Sequence, residues 1–199
     1  MQHKVKVTVL DKKLYPELQV QYCADPISGE CPCYQIGDEF IFERYGNADD
    51  FWHMGLNTLR QSAKPADETA GGTRFPHCSE AWDAISRYIY TGLQGGAIMR
   101  GWMNDERIMI TCCSDGTRPV IFKIERMDYK AVYVDGINCD RCRERIKEAL
   151  SGINEVTDVA FREELSEEYI EVFLEEDISD NLISDAVKSC GEYRVQRID

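Results

Sequence analysis

Apolar and polar residues alternate through KVKVTVL (4 to 10), a two-residue period that predicts a half-buried strand. EFIFERY (39 to 45) has the aromatic and β-branched content of a second strand. RIMITCC (107 to 113) and RPVIFKIERM (118 to 127) read as a strand pair, and the SDG between them supplies hairpin turn chemistry. In HCSEAWDAISRYIYTGL (77 to 93) the period changes to helical, with Trp82, Ile85, Ile89 and Leu93 on one face and Pro76 marking the start. QSAKPADETAGGTR (61 to 74) has no apolar period and reads as a surface loop.

The last third repeats a simple order. Strand AVYVDG (131 to 136), helix RCRERIKEALSG (141 to 152), strand VTDVAFRE (156 to 163), strand EYIEVFLE (168 to 175), helix SDNLISDAVKSC (179 to 190) and strand YRVQRI (193 to 198) make βαββαβ. Ser179 suits an N-cap and Gly191 a helix stop. That order over about 70 residues predicts a ferredoxin-like sandwich, a four-stranded antiparallel sheet with two helices on one face. MDYK (127 to 130) marks a boundary, so the expected fold class is α+β in two domains. Residues 1 to 127 form an α+β domain with an antiparallel hairpin, and residues 129 to 199 form the βαββαβ domain.

Composition narrows the functions. The 199 residues are 43% hydrophobic and 30% charged, which suits folded domains rather than wholesale disorder. No apolar run approaches the roughly 18 residues of a membrane helix, and the N-terminus lacks the apolar core of a signal peptide, so a cytoplasmic location without membrane insertion is expected. A net charge of -13 argues against nucleic acid as a partner, because phosphate-binding surfaces need clustered excess Lys and Arg. The acidic excess lies mainly in the C-terminal third, where residues 129 to 199 hold 18 Asp and Glu against 9 Lys and Arg. The nine cysteines, in a reducing compartment, read as metal ligands, reactive thiols or small buried residues rather than a disulfide framework.

Cys139 and Cys142 stand in GINCDRC, where a glycine-led loop becomes a helix. A thiol at a helix N-terminus is favoured as thiolate by the macrodipole, and Arg141, Arg143 and Arg145 add nearby positive charge. Two thiolates separated by two residues converge on one soft ion, selecting Cu(I) or Zn(II) over magnesium or calcium. The rival thioredoxin-like reading fits poorly, because CDRC lacks the usual small and proline residues between the thiols. Asp140, between the cysteines, is expected to be solvated. The loop at SCGEY (189 to 193) lies beside the first loop in this topology, which makes Cys190 a candidate third ligand.

GINCDRC, followed by IKEALSGINEVTDVAF and IEVFLEED, resembles heavy-metal-associated domains, the copper-chaperone-like modules also found at the head of metal-pumping ATPases. Their signature is G-M-x-C-x-x-C before the first helix, and the likeness runs from about Ala131 to Ile198. The resemblance implies metal binding by Cys139 and Cys142 and transfer of the ion to a similar metal-accepting or metal-donating domain. Ile137 replaces the family's methionine, a departure that bears on copper preference.

Residues 1 to 127 resemble an uncharacterised family of small, cysteine-containing bacterial proteins through KVKVTVL, YCADP, GDEFIF, CSEAWDAI and above all CCSDGTRPVIFKIE. The resemblance carries no activity. Cys23, Cys31, Cys78 and the pair Cys112 and Cys113 match its cysteine pattern, whereas Cys33 is an addition. Neighbouring strand residues point to opposite faces, so at most one of Cys112 and Cys113 joins any cluster. With Cys23, Cys31 and Cys78 it makes a candidate second thiolate site, for Zn(II) or an iron-sulfur cluster. The competing reading is that these cysteines fill the core. His53 and His77 read as structural or exposed, and Asp115 and Arg118 as a turn with a local ion pair. No phosphate loop, HExxH helix or G-x-S-x-G elbow is present.

The expectation is therefore soft-metal binding and transfer through the CxxC loop, with the N-terminal domain receiving, storing or sensing the ion. Two alternatives remain open: an enzyme with a thiolate-bound metal or iron-sulfur site in the N-terminal domain, and an interaction module with incidental cysteines.

Overall fold

The computed structural model describes residues 1–44, 59–63, 78–164 and 167–199. The described residues form a mixed α/β structure with a mostly antiparallel sheet and four helices. Contacts divide it into two units, Lys4–Arg126 and Met127–Asp199 together with Met1–His3.

In the first unit, strand β1 (Gln2–Lys12) is followed by helix α1 (Pro16–Tyr22), β2 (Glu39–Arg44), β3 (Leu59–Ala63), helix α2 (Ser79–Leu93), β4 (Ile108–Cys112) and the start of β5 (Val120–Asp135). The strand order is β3-β2-β1-β5, and β4 also pairs with β5. The alternation in β1 has its expected effect: Val5, Val7 and Val9 are buried against Phe40 and Phe42 of β2 and Val120, Phe122 and Ile124 of β5. Helix α2 covers this core with Ile85, Ile89 and Leu93, while Trp82 packs half-buried against the Phe42 ring. Burying each such isoleucine contributes roughly 1.5–3 kcal/mol. Gly92 allows close approach, because a Cβ there would stand 2.6 Å from Val5 Cγ2.

Three features differ from the sequence reading. The expected loop over 61 to 74 begins inside β3, and its positions from 64 onward, with His53, Pro76 and His77, lie outside the described residues. The strands expected at 118 to 127 and 131 to 136 are one continuous strand, β5, because nothing in MDYK forces a turn and Asp128 to Val132 pair in register with Leu174 to Ile170. Helix α1 was not anticipated; Pro16 starts it and one buried residue, Gln19, anchors it.

In the second unit, the rest of β5 is followed by α3 (Asp140–Ser151), β6 (Val156–Glu164), β7 (Glu167–Leu174), α4 (Asp180–Ser189) and β8 (Arg194–Ile198). Its strand order is β8-β5-β7-β6, with every pair antiparallel. Ile146 and Leu150 of α3 and Ile183 and Val187 of α4 bury against Val132, Val159, Ile170 and Val172 of the sheet. Ser179 caps α4 as expected, accepting from the Leu182 N–H at 3.4 Å. Lys130, on β5, is buried and donates from Nζ to the Ile178 carbonyl and to Asp180 Oδ1, tying the start of α4 to the sheet.

Candidate functional site

The β5–α3 loop begins at Gly136, whose φ of +94° belongs to the left-handed region that glycine tolerates. A Cβ at Gly136 would stand 3.3 Å from the Glu192 carbonyl and 3.6 Å from the Tyr193 ring, so the α4–β8 loop borders this one. Ile137 packs half-buried against the core of the unit and seats the loop from below. Cys139 is the N-cap of α3. Its sulfur stands where a Ser or Asp oxygen usually caps, accepting from the Cys142 N–H at 3.2 Å.

That capping geometry brings the two side chains together. The Cys139 and Cys142 sulfurs lie at disulfide-bonding distance, with their Cα atoms 5.2 Å apart. Asn138 Oδ1 is 3.4 Å from Cys142 Sγ. Cys139 is exposed and Cys142 half-buried, so the pair is open to solvent. Asp140 between them is 97% exposed and stands 3.8 Å from the Arg143 guanidinium.

Arg143 and Arg145 also reach groups outside the CxxC pair. Arg143 directs its guanidinium to Glu168 at 2.7 Å and lies over the Phe161 ring. Arg145 lies near Cys190 and favours its thiolate, although burial outweighs it and raises that thiol. Cys190 ends α4, packs against the core and donates from Sγ to the Val187 carbonyl at 3.1 Å.

In the first unit the cysteines separate into two groups. A cavity of ≈ 340 Å³ is lined by Cys31, Cys33, Cys78 and Cys113, with Tyr34 and Arg118. The loop after α1 delivers Cys31 and Cys33, and it is held by Gln19, whose amide donates to the Gly29 carbonyl at 3.0 Å and accepts from the Gly29 N–H at 3.1 Å. Cys78 is the N-cap of α2, and Cys113 follows β4. Cys113 is buried and Cys112 exposed, as expected for neighbouring strand positions. Cys23 is half-buried and does not line the cavity.

The turn between β4 and β5 shapes one wall. Asp115 Oδ1 accepts from the Thr117 N–H and hydroxyl at 2.9 Å each, and Oδ2 accepts from Arg118 Nε at 3.0 Å. Although burial opposes it, this bonding holds the Asp115 carboxyl below its usual range. Burial pushes the Cys113 thiol up, opposed by the Val120 and Asp115 amides. Desolvation, with the neighbouring Cys31 and Cys78 sulfurs, raises the Cys33 thiol. Burial likewise raises Tyr34, whose ring packs edge-on against Phe122.

Sequence reasoning set Cys33 aside, and the structure places it in the cavity with Cys31; the C-P-C spacing was the available signal. It also assigned Arg118 to the turn alone, whereas Arg118 both closes the turn and lines the cavity. Among the described residues, no group of three or more His, Cys, Asp or Glu side chains stands in metal-ligating geometry. No described helix is long and apolar enough to cross a membrane. Comparison with protein-family models, curated proteins and solved structures gives no match for this chain.

Proposed function

We propose that the protein binds a soft metal ion through Cys139 and Cys142 and passes it to a thiolate-bearing acceptor. The observation that carries this reading is the meeting of two sulfurs in a solvent-open loop at the N-terminus of α3. An ion captured there is reachable by an incoming thiolate, which exchange between proteins requires. A pair of soft donors favours Cu(I), which accepts few sulfur ligands, and Zn(II) binds if outside ligands complete its tetrahedron. The Cys142 N–H at the start of α3 already points at the Cys139 sulfur.

The strand order β8-β5-β7-β6 and the βαββαβ sequence of elements support reading this unit as a ferredoxin-like, heavy-metal-associated domain. Ile137 fills the place under the loop where that family carries methionine. The acceptor is a partner domain of similar chemistry or the cysteine-bearing N-terminal unit. The role is binding and transfer rather than catalysis.

The test is anaerobic titration of the reduced full chain with Cu(I) against a competing chelator. The Cys139→Ser/Cys142→Ser variant is expected to bind about one ion fewer per chain than wild type. Equal stoichiometry and affinity in the two proteins would refute the reading.

A further inference from the structure

The four thiols of the N-terminal cavity come from three separate segments: the loop after α1, the N-cap of α2 and the turn after β4. Cysteines that serve only as small apolar filler are buried. Here Cys113 alone of the four is buried; Cys31 and Cys78 are half-buried and Cys33 is exposed. Cys113 belongs to the core and Cys31 and Cys78 pack against it, and all four also line the solvent-connected cavity.

Burial raises the Cys33 and Cys113 thiols, so the thiolate form there depends on a bound cation, which two backbone features assist. Cys113 Sγ accepts from the Val120 N–H at 3.3 Å, the amide-to-sulfur bond that supports a ligating thiolate. Cys78 starts a 15-residue helix, whose positive end favours negative charge. Among the described residues the lining carries one cation, Arg118, which is ion-paired to Asp115, and a second carboxylate, Glu80. The four sulfurs do not stand in ligating geometry as they are, so closing the set on an ion requires rotation about the cysteine χ1 torsions.

We propose that Cys31, Cys33, Cys78 and Cys113 form a four-sulfur site for one thiophilic divalent metal ion of the Zn(II) class. Four sulfurs match the tetrahedral coordination of that class, with the ion about 2.3 Å from each sulfur. Cys112 and Cys23 take no part. The site is independent of the CxxC loop and supplies the N-terminal unit with a metal centre of its own.

The test uses the reduced full chain carrying Cys139→Ser/Cys142→Ser, so that the loop cannot contribute. Co(II) is the probe, because tetrahedral thiolate coordination gives it strong sulfur-to-cobalt charge-transfer absorption. The expected result is about one Co(II) per chain with that absorption, displaced by one equivalent of Zn(II). Adding Cys31→Ser/Cys78→Ser should weaken binding by at least ~100-fold, since two of four ligands are lost. Cys33→Ser, at an exposed position that leaves folding undisturbed, should lose most of the charge-transfer intensity, and Cys112→Ser should lose none. The proposal is overturned if the parent variant binds no Co(II), if it binds Co(II) without charge-transfer absorption, or if Cys33→Ser binds as the parent does. Because the loop cysteines are absent throughout, none of these results touches the CxxC reading.

Discussion

Gly92→Ala isolates how closely α2 is packed on β1. In a solvent-exposed helix this change stabilises, by about 0.5–1 kcal/mol in a last turn such as this one. Here the new methyl meets Val5 Cγ2 at 2.6 Å, with Ile98 Cδ1 at 3.5 Å and the Arg126 Cβ at 3.7 Å. Val5 is β-branched, lies in a strand paired with Phe42 and is fully buried, so it cannot rotate or retreat cheaply. Overpacking of this kind costs about 1–3 kcal/mol, which exceeds the propensity gain. Gly92→Ala is therefore expected to destabilise by roughly 0.5–2 kcal/mol.

The same reasoning predicts a change of sign. In a Val5→Ala background the clashing methyl is gone, so Gly92→Ala should stabilise by roughly 0.5–1 kcal/mol and the cycle should show coupling of about 1–3 kcal/mol. Urea unfolding followed by tryptophan fluorescence measures this, because Trp82 and Trp102 belong to the N-terminal unit and the C-terminal unit has no tryptophan in its sequence. Stabilisation by Gly92→Ala in the wild-type background, or an equal effect in both backgrounds, would refute the packing argument.

Two further outcomes are expected. Lys130→Met should destabilise the C-terminal unit by roughly 1–2 kcal/mol, read by guanidinium unfolding, because Lys130 bridges the Ile178 carbonyl with Asp180 and Asp177; the exposure of both carboxylates keeps the loss below that of a fully buried pair. Arg107 hydrogen-bonds both oxygens of Asp105 and holds its carboxyl below the usual range. A depressed carboxyl contributes stability that is full above the unfolded pKa of about 4 and is lost as pH falls through the folded value. The stability gap between wild type and Asp105→Asn should therefore be widest at neutral pH and close in acid, and a gap independent of pH would refute the assignment.

Much of the local structure was legible without coordinates. The two-residue period of KVKVTVL and the helical face of residues 82 to 93 each specify which side of an element is apolar, and burial follows that specification at Val5, Val7, Val9, Ile85, Ile89 and Leu93. The order of C-terminal elements and the place of CDRC at a helix start were equally local, since caps and turn residues mark them in the chain. The alternation rule also anticipated that Cys112 and Cys113 would part company.

The tertiary structure decided what no local pattern encodes. Whether MDYK ends a strand or continues one depends on the partner offered by β7, and that pairing carries β5 unbroken from Val120 to Asp135. Arg143, which by sequence belongs to the charge around the CxxC loop, is drawn to Glu168 because β7 places a carboxylate within 2.7 Å. The thiol cavity is the clearest case. Cys31, Cys78 and Cys113 are dozens of residues apart, and Cys33 joins them from a loop that Gln19 holds at Gly29. Short-range periodicity fixes the face on which a side chain emerges, whereas the meeting of faces depends on packing between elements distant in the chain.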